Sequence, residues 1–205
     1  MNGLLEKFND YMKINNYILK YELENGAIVE FKFKQTDFPH LIGLHKLRDI
    51  PVIRQFNDKN NKTVSAKFII SKIKNQLLLT EESIQHSSYF GEIEERYIKF
   101  TSENLLSITY TDIVIEFDPT IIGSSLKAKY ILIDEKPDGY NHLCIAEDKD
   151  SCKYAESFFF NPTDRYIYNQ QKVKINKVQI FDAGHKLYLE ESFNANKWYL
   201  LKIAK

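Results

Sequence analysis

Two histidines five positions apart, in Asp37-Phe-Pro-His-Leu-Ile-Gly-Leu-His-Lys-Leu47, are the first residues whose type and spacing suit chemistry. Imidazole titrates near neutral pH, so His40 and His45 can each take or give a proton. The segment reads as one helix, Phe38–Leu47, entered from a cap at Asp37 with Pro39 in its first turn. Phe38, Leu41, Ile42, Leu44 and Leu47 form a broad apolar face, with His40 at its edge and His45 within it. Gly43 costs about 1 kcal/mol in a helix interior, and a glycine so placed implies close packing or access. Two readings stand: Gly43 lets another group come up to the helix near His40, or both histidines are hydrogen-bonded core residues.

A second constellation occupies 156–175. An apolar strand that includes Ser157 ends at Asn161-Pro162, and a polar crossover follows with Arg165, Tyr166, Tyr168, Gln171 and Lys172. Arg165 and Lys172 are of a type to hold a phosphate, and Tyr166 or Tyr168 to stack on a base. The alternative is a solvated loop whose tyrosines pack back on a sheet. The run Glu92-Ile-Glu-Glu-Arg96 reads as a solvated helix face, and His142 and His185 as structural residues.

Elements must bring these groups together. Residues 1–17 read as a helix, with Leu4, Leu5, Phe8, Tyr11 and Met12 at helical spacing. Residues 18–33 read as a hairpin about Asn25-Gly26, with Val29, Phe31 and Phe33 on one side. Residues 62–108 look helical, with an apolar stripe of Val64, Phe68, Ile69 and Ile73. Thr80 and Thr101 (or Ser102) are candidate caps there. From 112 onward the pattern is of strands: 113–117, 129–133, 143–146, 154–160, 173–181, 186–189 and 199–203. Turn signals such as Gly123-Ser124-Ser125 and Pro137-Asp138-Gly139 separate them. Helices first and strands last predict an α+β domain over 1–205 with an antiparallel sheet of at least four strands and a possible helical insertion at 62–108.

Composition narrows the chemistry. The 205 residues carry a formal net charge of +0, against the basic excess of many nucleic-acid binders, which leaves room for a local basic patch. No zinc, calcium, nucleotide-loop or serine-hydrolase motif is present, so neither a metal nor a cofactor is expected. The N-terminus lacks a signal-peptide core, and no apolar run approaches the roughly 20 residues of a membrane helix. A cytoplasmic location without membrane contact is the expectation. Cys144 and Cys152 are expected to be free thiols.

Phe38-Pro-His40-Leu41-x-Gly43-Leu44-x-Lys46-Leu47, followed by Ser157-Phe-Phe and Tyr166…Gln171…Lys174-Ile175, resembles a family of phage and mobile-element proteins. These are the phage-borne domains grouped with the barnase–EndoU–colicin–RelE nucleases, most closely their fourth group. The resemblance frames residues 35–175 and implies helices followed by a four-stranded antiparallel sheet. It implies metal-independent cleavage of RNA, of tRNA or mRNA, by attack of the ribose 2′-hydroxyl on the adjacent phosphate. On that basis His40 is the general base or acid, and Arg165 or Lys172 stabilises the phosphate. Ser157, Tyr166 and Gln171 position RNA, and His45 is a lesser candidate. The competing expectation is a non-catalytic protein that binds a host or phage defence protein through some of its 13 tyrosines and 14 phenylalanines. A cleft shared by His40 and Arg165 or Lys172 would favour the first; a buried, satisfied His40 would favour the second.

Overall fold

A computed structural model describes residues 3–61 and 63–192. The chain opens with α1 (Leu4–Tyr11), extended by a 3-10 turn at Met12–Ile14, and the hairpin of β1 (Ile18–Leu23) and β2 (Ile28–Lys32). Gly26, at φ +80°, makes the expected turn between them. A 3-10 turn at Gln35–Asp37 leads into α2 (Phe38–Leu41), which is only four residues long. The helix expected over 38–47 is broken at Gly43, where φ is +91°, and resumes as a 3-10 turn at Leu44–Lys46. Asp37 does not cap α2; its carboxylate accepts the Lys34 N–H at 2.9 Å and closes the preceding turn.

The next helix, α3 (Pro51–Asn57), was not anticipated from sequence; Pro51 starts it at a position where no backbone N–H is needed. The helical stretch resolves into α4 (Ala66–Lys74), α5 (Glu81–Gln85), α6 (Glu94–Lys99) and α7 (Ser102–Ile108). Thr80 and Thr101 cap α5 and α7, each accepting the N–H three residues on. Of the expected α4 stripe, Val64, Ile69 and Ile73 are buried and Phe68 is exposed.

Six strands follow: β3 (Ile113–Glu116), β4 (Tyr130–Lys136), β5 (Gly139–Glu147), β6 (Lys153–Asn161), β7 (Gln171–Phe181) and β8 (Leu187–Ser192). The candidate strand 199–203 lies outside the described residues. The sheet runs β1-β2-β6-β5-β4-β3-β7-β8, and β1 also pairs with β7, so seven strands close into a barrel with β8 added outside. All described pairings are antiparallel save β2 with β6, which is parallel and short. The long β7 makes closure possible: its first part pairs with β3 and its second with β1. Fold class and strand count therefore agree with the α+β expectation. Among the described residues no helix is long and apolar enough to cross a membrane. Cys144 and Cys152 are both free, the first buried and the second exposed.

Helix α1 is tied to α6 and α7 through two charges. Buried Lys7 donates to the Phe100 and Ile98 carbonyls at 3.3 and 3.5 Å, at the C-terminal end of α6. One turn later Asp10 accepts from the Ser102 N–H and hydroxyl at 2.6 and 2.9 Å, at the N-terminus of α7. A cation at a helix C-terminus and an anion at an N-terminus are the signs each helix dipole favours. An aromatic cluster fills the space beneath: Phe100 lies 5.9 Å from Tyr11, 5.6 Å from Phe38 and 5.8 Å from Phe158, centroid to centroid. It thereby joins α1, α2 and β6 below the C-terminus of α6. Phe100→Ala is expected to cost about 3–5 kcal/mol of stability, read as a lower urea midpoint with an unchanged m-value.

Candidate active site

A cleft of about 610 Å³ opens between the helical layer and β6. Four stretches line it. The Gly43 break supplies His40, His45 and Lys46; α6 and the turn before it supply Gly91, Glu92, Glu95 and Arg96. Strand β6 supplies Glu156, Ser157, Phe159, Phe160 and Asn161; Ser124–Lys127 and Tyr166 complete the wall.

Gly43 explains how the first two stretches meet. A Cβ built on it would lie 2.9 Å from Ile93 Cγ2, 3.0 Å from Arg96 Cδ and 3.1 Å from Arg96 Nη1. The residue thus meets both demands, a left-handed backbone and room for a neighbour. What comes up to the helix near His40 is the guanidinium of Arg96. Its Nη1 is buried and has no hydrogen-bond partner among the described residues. Burial lowers the arginine from its ordinary pKa, with Cys144 and Tyr166 acting the other way.

The histidines face each other with ring centroids 5.2 Å apart. His40 is exposed on the cleft wall and rests on Phe56 of α3, 5.3 Å away. Desolvation by its surroundings lowers its pKa from the usual imidazole value. His45 sits deeper: its Nδ1 is buried without a partner among the described residues. Desolvation first, then the charges of His40, Arg96 and Lys46, push it down to about 3.

Strand β6 contributes through a bulge. Cys144 on β5 pairs with Ser157 while Ile145 pairs with Ala155, which leaves Glu156 as the extra residue. In a regular strand neighbours point to opposite faces; here Glu156 and Ser157 both line the cleft. Desolvation raises the Glu156 carboxyl above its usual range, against the pull of Lys127 and the Tyr154 hydroxyl. Tyr166 packs back on the sheet, 4.8 Å from the Phe159 ring and 5.6 Å from His142, and also reaches the cleft.

Four of the seven residues singled out from sequence, His40, His45, Ser157 and Tyr166, line this one cleft, and three do not. Arg165 turns away to donate to the Ile122 carbonyl at 3.3 Å. Lys172 and Gln171 lie on β7 and border two other hollows. Strand geometry separates them from the cleft, because β7 lies across the barrel from β6. The cations that line the cleft with the histidines are Lys46, Arg96 and Lys127. Arg96 ends the run read as a solvated helix face, and no signal in the sequence set it apart from the glutamates before it.

One cleft of this α+β barrel thus holds a histidine pair, a guanidinium whose buried Nη1 has no partner among the described residues, and a desolvated carboxyl. Residues 4–196 match the family described as phage-Barnase-EndoU-ColicinE5/D-RelE like nuclease 4, and the chain belongs to that family. No curated protein and no solved structure matches the chain. The earlier resemblance is thus shown over nearly the whole chain: this is a nuclease-like domain of a phage-associated family.

Two outcomes test the geometry. Gly43→Ala is expected to lose about 1–2 kcal/mol from left-handed strain alone, more as Ile93 and Arg96 give way, measured by chemical denaturation. His45 links to pH with a definite sign. The unfolded ring protonates below 6.5 and the folded one only near 3, so stability falls as pH drops through that window. A pH series of urea midpoints should show this limb in the wild type and a shallower one in His45→Gln.

Proposed function

We propose that the cleft cleaves RNA by attack of a ribose 2′-hydroxyl on the adjacent phosphate, without a metal ion. The observation that carries this reading is the pair of buried polar atoms, Arg96 Nη1 and His45 Nδ1, left without partners at one cleft. A guanidinium N–H can only donate, and a buried unmet donor is costly. A substrate phosphate oxygen would meet it. The exposure of His40 on the same wall fits a proton-transfer group better than a satisfied core residue.

The roles follow from chemistry. The 2′-oxygen forms a bond to phosphorus as its proton leaves; the P–O5′ bond breaks and the 5′-oxygen gains a proton. The products are a 2′,3′-cyclic phosphate and a 5′-hydroxyl. Of His40 and Glu156, one takes the 2′-hydroxyl proton and the other gives a proton to the leaving 5′-oxygen; desolvation lowers the imidazole and raises the carboxyl. Arg96 donates to the non-bridging oxygens as charge builds on the phosphorane. Ser157 and Tyr166 orient the sugar and base. Three cations and three carboxylates line the cleft, and Arg48 holds Glu92 at 2.8 Å. Recognition therefore rests on directed donors more than on a broad positive field, which suits a chain of zero net charge.

The test is incubation with total RNA and a defined oligoribonucleotide in EDTA. Wild type is expected to leave 2′,3′-cyclic phosphate ends, identified by mass spectrometry. His40→Ala should lose about 10²–10⁴-fold in rate and Arg96→Ala about 10²–10³-fold, with Lys172→Ala unchanged. No cleavage by wild type, or equal cleavage by all variants, rejects the mechanism.

A further inference from the structure

Gly123-Ser124-Ser125 reads in sequence as a turn signal, and the chemistry above makes no use of it or of Leu126 and Lys127 after it. Ser124–Lys127 nevertheless form a wall of the cleft. Asp118 starts the stretch by capping a 3-10 turn, Pro119–Ile122, and Gly123 ends that turn at φ +62°. The Ser124 N–H then donates back to the Pro119 carbonyl at 2.9 Å, and the Leu126 N–H to the Ser124 hydroxyl at 3.1 Å. Arg165 braces the turn from outside through the Ile122 carbonyl.

Within this braced loop several donors are uncommitted. Among the described residues the Ser125 and Lys127 amides meet no acceptor, the Ser125 hydroxyl has no partner, and Lys127 forms no ion pair. Amides, a hydroxyl and an ammonium on a short turn make the donor set that encloses a tetrahedral oxyanion. The loop is also a second cationic centre. His45 feels the charges of Arg96 and Lys46, whereas Glu156 feels that of Lys127. A cleft of about 610 Å³ is far larger than one phosphate group fills.

We infer that the Gly123–Lys127 loop binds a second phosphate of the substrate chain, next to the one being cleaved. The cleft then grips two consecutive phosphates, one at Arg96 and one at Lys127. This rests on reading the cleft as a nucleic-acid site and adds the length of chain it recognises.

The experiment uses the full chain and uncleavable deoxydinucleotides: TpT with one phosphate, and pTpT and TpTp with a second at either end. Affinities are measured by calorimetry or NMR titration at fixed low salt. One terminal phosphate is expected to tighten wild-type binding about tenfold, as a charge-assisted hydrogen bond would. Lys127→Ala should abolish that gain and Lys127→Arg keep most of it. Arg96→Ala should weaken all three ligands by a similar factor and leave the gain intact. An equal gain in Lys127→Ala, or no gain from either terminal phosphate in wild type, overturns the inference. The deoxy ligands separate the two readings. Lack of RNA cleavage with the gain intact rejects the proton-transfer mechanism and spares the subsite; cleavage without any gain does the reverse.

Discussion

The close approach of Arg96 to Gly43 is the contact on which the rest of the site depends. A side chain at position 43 would occupy the space of the Arg96 Cδ and Nη1. Because the backbone there is left-handed, the chain also breaks: His40 stays on α2, while His45 and Lys46 swing onto the next turn. One glycine therefore sets three things at once, the seat of the guanidinium, the angle between the imidazoles, and the opening of the cleft. Helix α6 must be held firmly for this to work. Lys7 and Asp10 do so from α1, one on the last carbonyls of α6 and the other on the first amide of α7.

The opposite wall relies on an irregularity of a different kind. At the β6 bulge, Glu156 and Ser157 share a face that a regular strand would divide between them. The bulge also places a carboxyl in a partly dry setting, with Lys127 as the cation it feels. Both walls thus owe their chemistry to departures from regular geometry, a left-handed break in a helix and an extra residue in a strand. Three cations and three carboxylates line the cleft, in keeping with a chain of no net charge.

Much of the scaffold was legible in sequence because its signals are local. The Asn25-Gly26 hairpin, the Thr80 and Thr101 caps and the period-2 strands each follow from residues close in the chain. The helix over 38–47 was misjudged because its apolar spacing is helical on both sides of Gly43, and only the approach of α6 makes the break worthwhile. Helix α3 is seven residues long and begins on Pro51, a residue that leaves no local helical signal before it. Arg165 and Lys172 were singled out for their type, yet one braces a turn and the other lies on a strand across the barrel from the cleft. Arg96 passed as solvent-facing because nothing local separates it from the acidic residues before it.

By itself the sequence determined the class of fold, most element positions and four residues of the cleft: His40, His45, Ser157 and Tyr166. Those follow from side-chain period, turn chemistry and a motif compact enough to be seen in one stretch. Only the tertiary structure decided which cation meets the histidines, that Glu156 joins them, and that the strands close into a barrel. The reason is physical. Closure and the bulge are register events between strands far apart in sequence, and the arginine's seat is a steric vacancy on another helix. No periodicity within a single segment can encode either.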